Sequence, residues 1–100
     1  MDVNTEINVM PSAIPNDNHV SMLRNSGYEV HVFQRLEGGR QDMIKRRMVA
    51  IKLPYAENGK YEYDTYDSAL EDEGLFPMKT LTEREVKDLQ NDQTFTHEGP

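Results

Sequence analysis

Three histidines, four serines and eighteen carboxylates are the side chains of this 100-residue chain from which acid–base, nucleophilic or metal chemistry would be built. His19, His31 and His97 stand far apart in sequence, and no two have the i, i+4 spacing that sets ligands on one helix face. Each reads as an ordinary surface or boundary histidine. A nucleophile would have to be Ser12, Ser21, Ser26 or Ser68 brought beside a histidine, and no local signature marks any of them. Asp64, Asp67, Glu71 and Asp72 are close enough to gather a divalent cation, but they lack the ligand spacing and central glycine of a calcium loop. Gly38-Gly39 joins two extended runs instead of leading into a helix, so it is not a phosphate-binding loop. Cysteine is absent, which removes thiol catalysis, iron–sulfur clusters and the common structural zinc sites. The expectation is a protein that is not an enzyme and holds neither cofactor nor metal.

What the chain does carry is a division of charge. Its net charge is −7. Residues 35–52 nevertheless hold six basic side chains (Arg35, Arg40, Lys45, Arg46, Arg47 and Lys52) against two acidic ones. Residues 57–92 hold eleven acidic side chains against four basic ones. Such asymmetry points to oriented docking on a charged partner. Within the acidic stretch Tyr61, Tyr63 and Tyr66 interleave with Glu62, Asp64, Asp67, Glu71, Asp72 and Glu73. Carboxylates along a rigid surface, with aromatic side chains between them, suit a protein that offers a basic groove or patch; imitation of nucleic-acid phosphates is one form of this. The plainer reading is a solvated strand and loop that keep the domain soluble.

The basic stretch also has two readings. Arg40, Lys45, Arg46, Arg47 and Lys52 are candidate contacts for phosphates or an acidic partner, with Phe33 or Tyr28 stacking nearby. Strand alternation, however, sends Arg46 to the face opposite Lys45 and Arg47, and the overall negative charge opposes encounter with nucleic acid. The plainer reading is that these cations pair with the protein's own carboxylates.

The elements that must position these residues fit within one domain. Hydrophobic residues are 36% of the chain, so the core is small and stability modest. No basic leader followed by an apolar run is visible near Met1, and no apolar stretch approaches a membrane span; a cytoplasmic protein is expected, in the host cytoplasm if it is viral. Residues 1–15 read as a flexible arm, with a short edge strand at Glu6–Met10 as the alternative. A helix is expected from Asp17 to Ser26, capped by Asn16 and ended by Gly27, with Tyr28 packing back on it. Tyr28–Leu36 alternates as a strand, with Tyr28, Val30, Val32 and Leu36 on one face.

A short turn at Gly38-Gly39 should then return the chain, and a three-residue turn with a bulge, setting Val32 opposite Ile44 and Tyr28 opposite Met48, buries the most apolar surface. The returning strand runs from about Asp42 to Tyr55, and its mixed pattern implies either two covered faces or a bulge near Arg46-Arg47. Asn58-Gly59 is a two-residue hairpin turn that places Glu57 opposite Lys60 and leads into a third strand, Tyr61–Tyr66. Asp67–Gly74 suits a helical turn, and Leu75-Phe76 a loop that drops onto the sheet. Thr82 and Glu85 form a capping box, with Leu81 and Val86 as its hydrophobic staple, opening a helix to about Asn91. Residues 92–100 read as a flexible tail.

The fold expected is therefore α+β: a three-stranded antiparallel meander with a short N-terminal helix and a C-terminal helix packed on one face, the domain spanning 16–91. The function expected is a small acidic protein-binding module, of the inhibitor or accessory-factor type found in viruses and mobile elements. It would act through Tyr61, Tyr63, Asp64, Tyr66, Asp67, Glu71, Asp72 and Glu73. A nucleic-acid-binding regulator using the basic hairpin and a structural subunit of an assembly are the alternatives, and a homodimer is compatible with either use of the surface.

Overall fold

The computed structural model describes residues 12–39 and 41–100. Eight elements follow one another: α1 (Asp17–Asn25), β1 (Val30–Glu37), β2 (Ile44–Glu57), β3 (Lys60–Asp67), α2 (Ser68–Asp72), β4 (Met78–Thr82), α3 (Glu83–Asn91) and β5 (Thr96–Glu98). The architecture is α+β, with an antiparallel sheet of five strands in the order β4-β3-β2-β1-β5. Two more strands than the meander thus join the sheet, one on each side of it.

Local chemistry sets the helix ends as the sequence foretells. The Asn16 side chain accepts the His19 N–H at 2.9 Å and opens α1. Gly27 takes φ +96°, so that Tyr28 N–H can donate back to the Leu23 carbonyl and Gly27 N–H to the Arg24 carbonyl. At α3 the Thr82 side chain accepts the Glu85 N–H while the Glu85 carboxylate accepts the Thr82 N–H, the reciprocal capping box. Asn58 (φ +54°) and Gly59 (φ +74°) make the left-handed pair of the β2–β3 turn, and Glu57 lies opposite Lys60.

The β1–β2 connection departs from expectation. Val32 lies opposite Val49 and Phe33 opposite Met48, so the expected register, Val32 opposite Ile44 and Tyr28 opposite Met48, is replaced. Residues 38–43 form the connection, long enough for β2 to slide along β1. The slide aligns Val30, Val32, Val49 and Ile51 on one sheet face and Phe33, Met48 and Ala50 on the other, which buries more than the short turns allow. Both faces of β2 are covered, and its irregularity falls between Lys52 and Ala56, around Pro54, which has no N–H for the ladder.

Two apolar clusters result. Under α3 lie Phe33, Met48, Ala50, Tyr63, Leu81, Val86 and Phe95; under α1 lie Ile14, Val20, Val30, Val32 and Val49. The two helices therefore cover opposite faces. Phe95 belongs to the segment read as a tail, and the strand after it pairs with β1. Leu75 and Phe76 do not drop onto the sheet but stay 55% and 70% exposed. Tyr28 is likewise left exposed. The proposed edge strand at Glu6–Met10, and most of the arm, lie outside the described residues; the arm's end is held, because Ile14 is buried and Ser12 donates to Glu71 at 3.0 Å.

Candidate functional site

Strand alternation divides the acidic, tyrosine-bearing segment between two faces. Tyr61, Tyr63 and Asp67 turn toward α3, where Tyr63 and Asp67 are buried and Tyr61 is half-buried against the core. Glu62, Asp64 and Tyr66 turn to the α1 side. There Glu62 is exposed, Asp64 is half-buried, and Tyr66 packs against the edge of the α1 cluster. Glu71 is occupied with Ser12 and the Ala13 N–H, while Asp72 and Glu73 stand exposed at the end of α2. The eight residues do not form one surface, and two of them are structural.

Asp67 shows why. Its carboxylate receives Arg46 Nε at 3.1 Å and Nη2 at 2.8 Å, approaches Lys79 Nζ at 3.5 Å, and caps α2 by accepting the Ala69 N–H at 3.0 Å. Burial pushes this carboxyl up, yet the Arg46 hydrogen bonds, the Ala69 N–H and the charges of Arg46 and Lys79 outweigh it and hold the group below the usual range.

The basic stretch is spent in the same way. Arg46 also reaches Glu37, which Arg35 binds at 2.7 Å, and Arg47 pairs with Asp17 at 3.0 Å while donating to the Pro15 carbonyl. Lys52 lies 3.7 Å from Glu29 and over the Tyr61 ring. Lys45 is exposed, and Arg40 lies outside the described residues. Among the described residues only Lys45 and Lys60 are lysines or arginines without a carboxylate within ion-pair distance.

One polar network has no counterpart in the sequence reading. His31, buried on β1, contacts Glu29 through Nε2 at 2.8 Å and His97 Nε2 through Nδ1 at 2.9 Å. The Tyr63 hydroxyl donates to the same Glu29 oxygen at 2.9 Å, and Gln90 approaches His31 Nδ1 at 3.4 Å. The His31 hydrogen bond lowers the Glu29 carboxyl despite burial, with Tyr63, Lys52 and the His31 charge adding to the effect. Burial and then the Glu29 contact push the Tyr63 phenol far up. Burial, followed by the His31 charge, lowers His97. His97 stacks on Phe33 with ring centroids 4.9 Å apart. The spacing of 66 residues hides this pair from any local motif, and only the β1–β5 register, Phe33 opposite His97, brings it together.

The histidine network lies outside the five main clefts among the described residues. A cleft of about 410 Å³ opens between α1, the 12–15 segment and the sheet, lined by Ile14, Met22, Leu23, Ile51 and Tyr66 among others. Asp64 is the register partner of Ile51 and lies two residues from Tyr66, so it stands beside this cleft. A larger groove of about 790 Å³ runs between the β2–β3 hairpin and α3, but its walls carry lysines, an arginine and carboxylates mixed together. Among the described residues no three histidine or carboxylate side chains are placed to share a metal ion, and no helix is long and apolar enough to cross a membrane. The chain matches no family model, no curated protein and no solved structure.

Proposed function

We propose that this protein is a small non-enzymatic binding module that docks a basic protein partner through carboxylates on the α1 side of β3. The observation that supports this reading is the unequal fate of the charges. Nearly all described lysines and arginines are held in internal ion pairs, whereas Glu62, Asp64, Asp72 and Glu73 have no such partner among the described residues. Glu62 and Asp64 share a sheet face with exposed Thr80 and Thr82. Carboxylates fixed on a sheet lose little freedom on binding and steer an oppositely charged partner. An inhibitor or accessory factor would work in this way.

The nucleic-acid reading loses support for the same reason, because Arg46 and Arg47 are already engaged by Asp67, Glu37 and Asp17. Affinity capture from nuclease-treated native lysate, comparing wild type with Glu62→Gln/Asp64→Asn, tests the proposal. A basic protein retained by wild type and lost by the variant supports it. A partner retained equally by both refutes it.

A further inference from the structure

The cleft beside Asp64 has a chemistry of its own. Its walls are mostly apolar, with Leu23 and Met22 from α1, Ile51 from β2, Tyr66 from β3 and Ile14 from the anchored segment, and Ser12, His19 and Ser26 add polar groups. Met22, one of these lining residues, is 64% exposed, so apolar surface is open to a ligand there. At about 410 Å³ the cleft is of the size that holds one or two side chains of a ligand. Along β3 the residues beside it are Asp64 and then Glu62, so the apolar floor continues into a negative rim.

That combination selects among three occupants. Residues 1–11 of the same chain contain Asp2 and Glu6 and no basic side chain, so the rim repels them. A second copy carries the same net charge of −7 and is repelled for the same reason. A segment with one large aliphatic side chain flanked by lysines or arginines satisfies floor and rim together.

We infer that the α1 cleft binds a basic peptide segment of a partner protein, seating an aliphatic anchor between Leu23, Ile51 and Tyr66 while flanking cations meet Asp64 and Glu62. The inference rests on the acidic-face reading and adds the anchor to it.

Amide-resolved titration of the full chain tests it with three synthetic peptides: a leucine flanked by lysines, the same peptide with glycine for leucine, and the leucine peptide with glutamates for lysines. The first is expected to shift the amides of Leu23, Ile51 and Tyr66. The other two should bind more weakly by about tenfold or more. Met22→Gln and Ile51→Ala should weaken the first peptide without altering its salt dependence, with the unperturbed remainder of the spectrum reporting an intact fold. Equal binding of the leucine and glycine peptides, lost in Glu62→Gln/Asp64→Asn, removes the cleft from the proposal and leaves the acidic face standing. Absence of binding by the leucine peptide overturns the inference. So does a shift of the same three amides in Ile7→Asp/Val9→Asp, which assigns the cleft to the chain's own N-terminal segment, or a shift that grows with protein concentration, which assigns it to a second copy.

Discussion

Asp67 and Arg46 decide more about this molecule than any other pair. Asp67 is 1% exposed, and its two oxygens meet the Arg46 guanidinium edge-on while also serving the first turn of α2. Removing Arg46 leaves the buried Asp67 carboxylate with Lys79 at 3.5 Å as its remaining cation. Arg46→Ala is therefore expected to lower stability by about 3 kcal/mol, read by urea unfolding. Asp67→Asn should cost less, because the amide oxygen still caps Ala69. A loss below about 1 kcal/mol for Arg46→Ala would show that Lys79 alone suffices. Acid acts on the same pair. The folded-state carboxyl lies below its unfolded value, so its contribution is complete above roughly pH 4 and disappears as pH falls through the depressed folded value. The sequence displayed both charges and permitted self-pairing as the plainer reading. It could not say which carboxylate Arg46 would choose, since the two are 21 residues apart and on different strands.

Elements were legible where a signal is local. The Asn16 cap, the Gly27 stop, the Asn58-Gly59 turn and the Thr82–Glu85 box each depend on residues within a few positions, and each stands where the sequence puts it. Registers that depend on distant burial were not legible. The β1–β2 pairing follows from matching two apolar faces at once, and β5 exists because Phe95 drops into the α3-side core and carries the next three residues to β1. Gly38 shows the local cost of the longer connection: at φ +114° a Cβ would collide with the Asp42 carbonyl oxygen. β5 is also the element most exposed to pH. It is three residues long, and His97 fixes it to His31 at 2.9 Å while Arg24 holds Glu98 at 3.1 Å from the other sheet face. His97 has a lowered folded value, so its neutral form supports the fold above about pH 6.5, and that support is lost as pH falls through the folded value. Amide protection across Thr96–Glu98, taken relative to the intrinsic exchange rate at each pH, should fall on acidification to about pH 5 while the β2–β3 pairing stays protected. His97→Phe keeps the stack on Phe33 and removes the proton, so its protection should be flat over the same interval. A flat profile in the wild type would relieve His97 of this role.

At the scale of the whole molecule, ion pairing converts an uneven sequence into a more uniform surface. The six cations of residues 35–52 suggest a positive hairpin, yet Arg35, Arg46, Arg47 and Lys52 are each drawn to a carboxylate outside the acidic strand face. The chain has eighteen carboxylates against eleven lysines and arginines, and among the described residues few cations are left uncommitted. Two consequences separate the acidic module from a nucleic-acid regulator. Binding of the lysine-flanked leucine peptide should slow in association by about an order of magnitude between low salt and ~0.3 M salt, with dissociation little changed, because steering acts before contact. A short DNA duplex should show no binding by fluorescence anisotropy at ~0.15 M salt, since phosphates would meet cations already committed to Asp67, Glu37, Asp17 and Glu29. Charge reversal at Lys45, the exposed cation among the described residues of the hairpin, should leave both results unchanged. Duplex binding that disappears with Lys45→Glu would return the basic hairpin to a functional role and remove the acidic face as the principal surface.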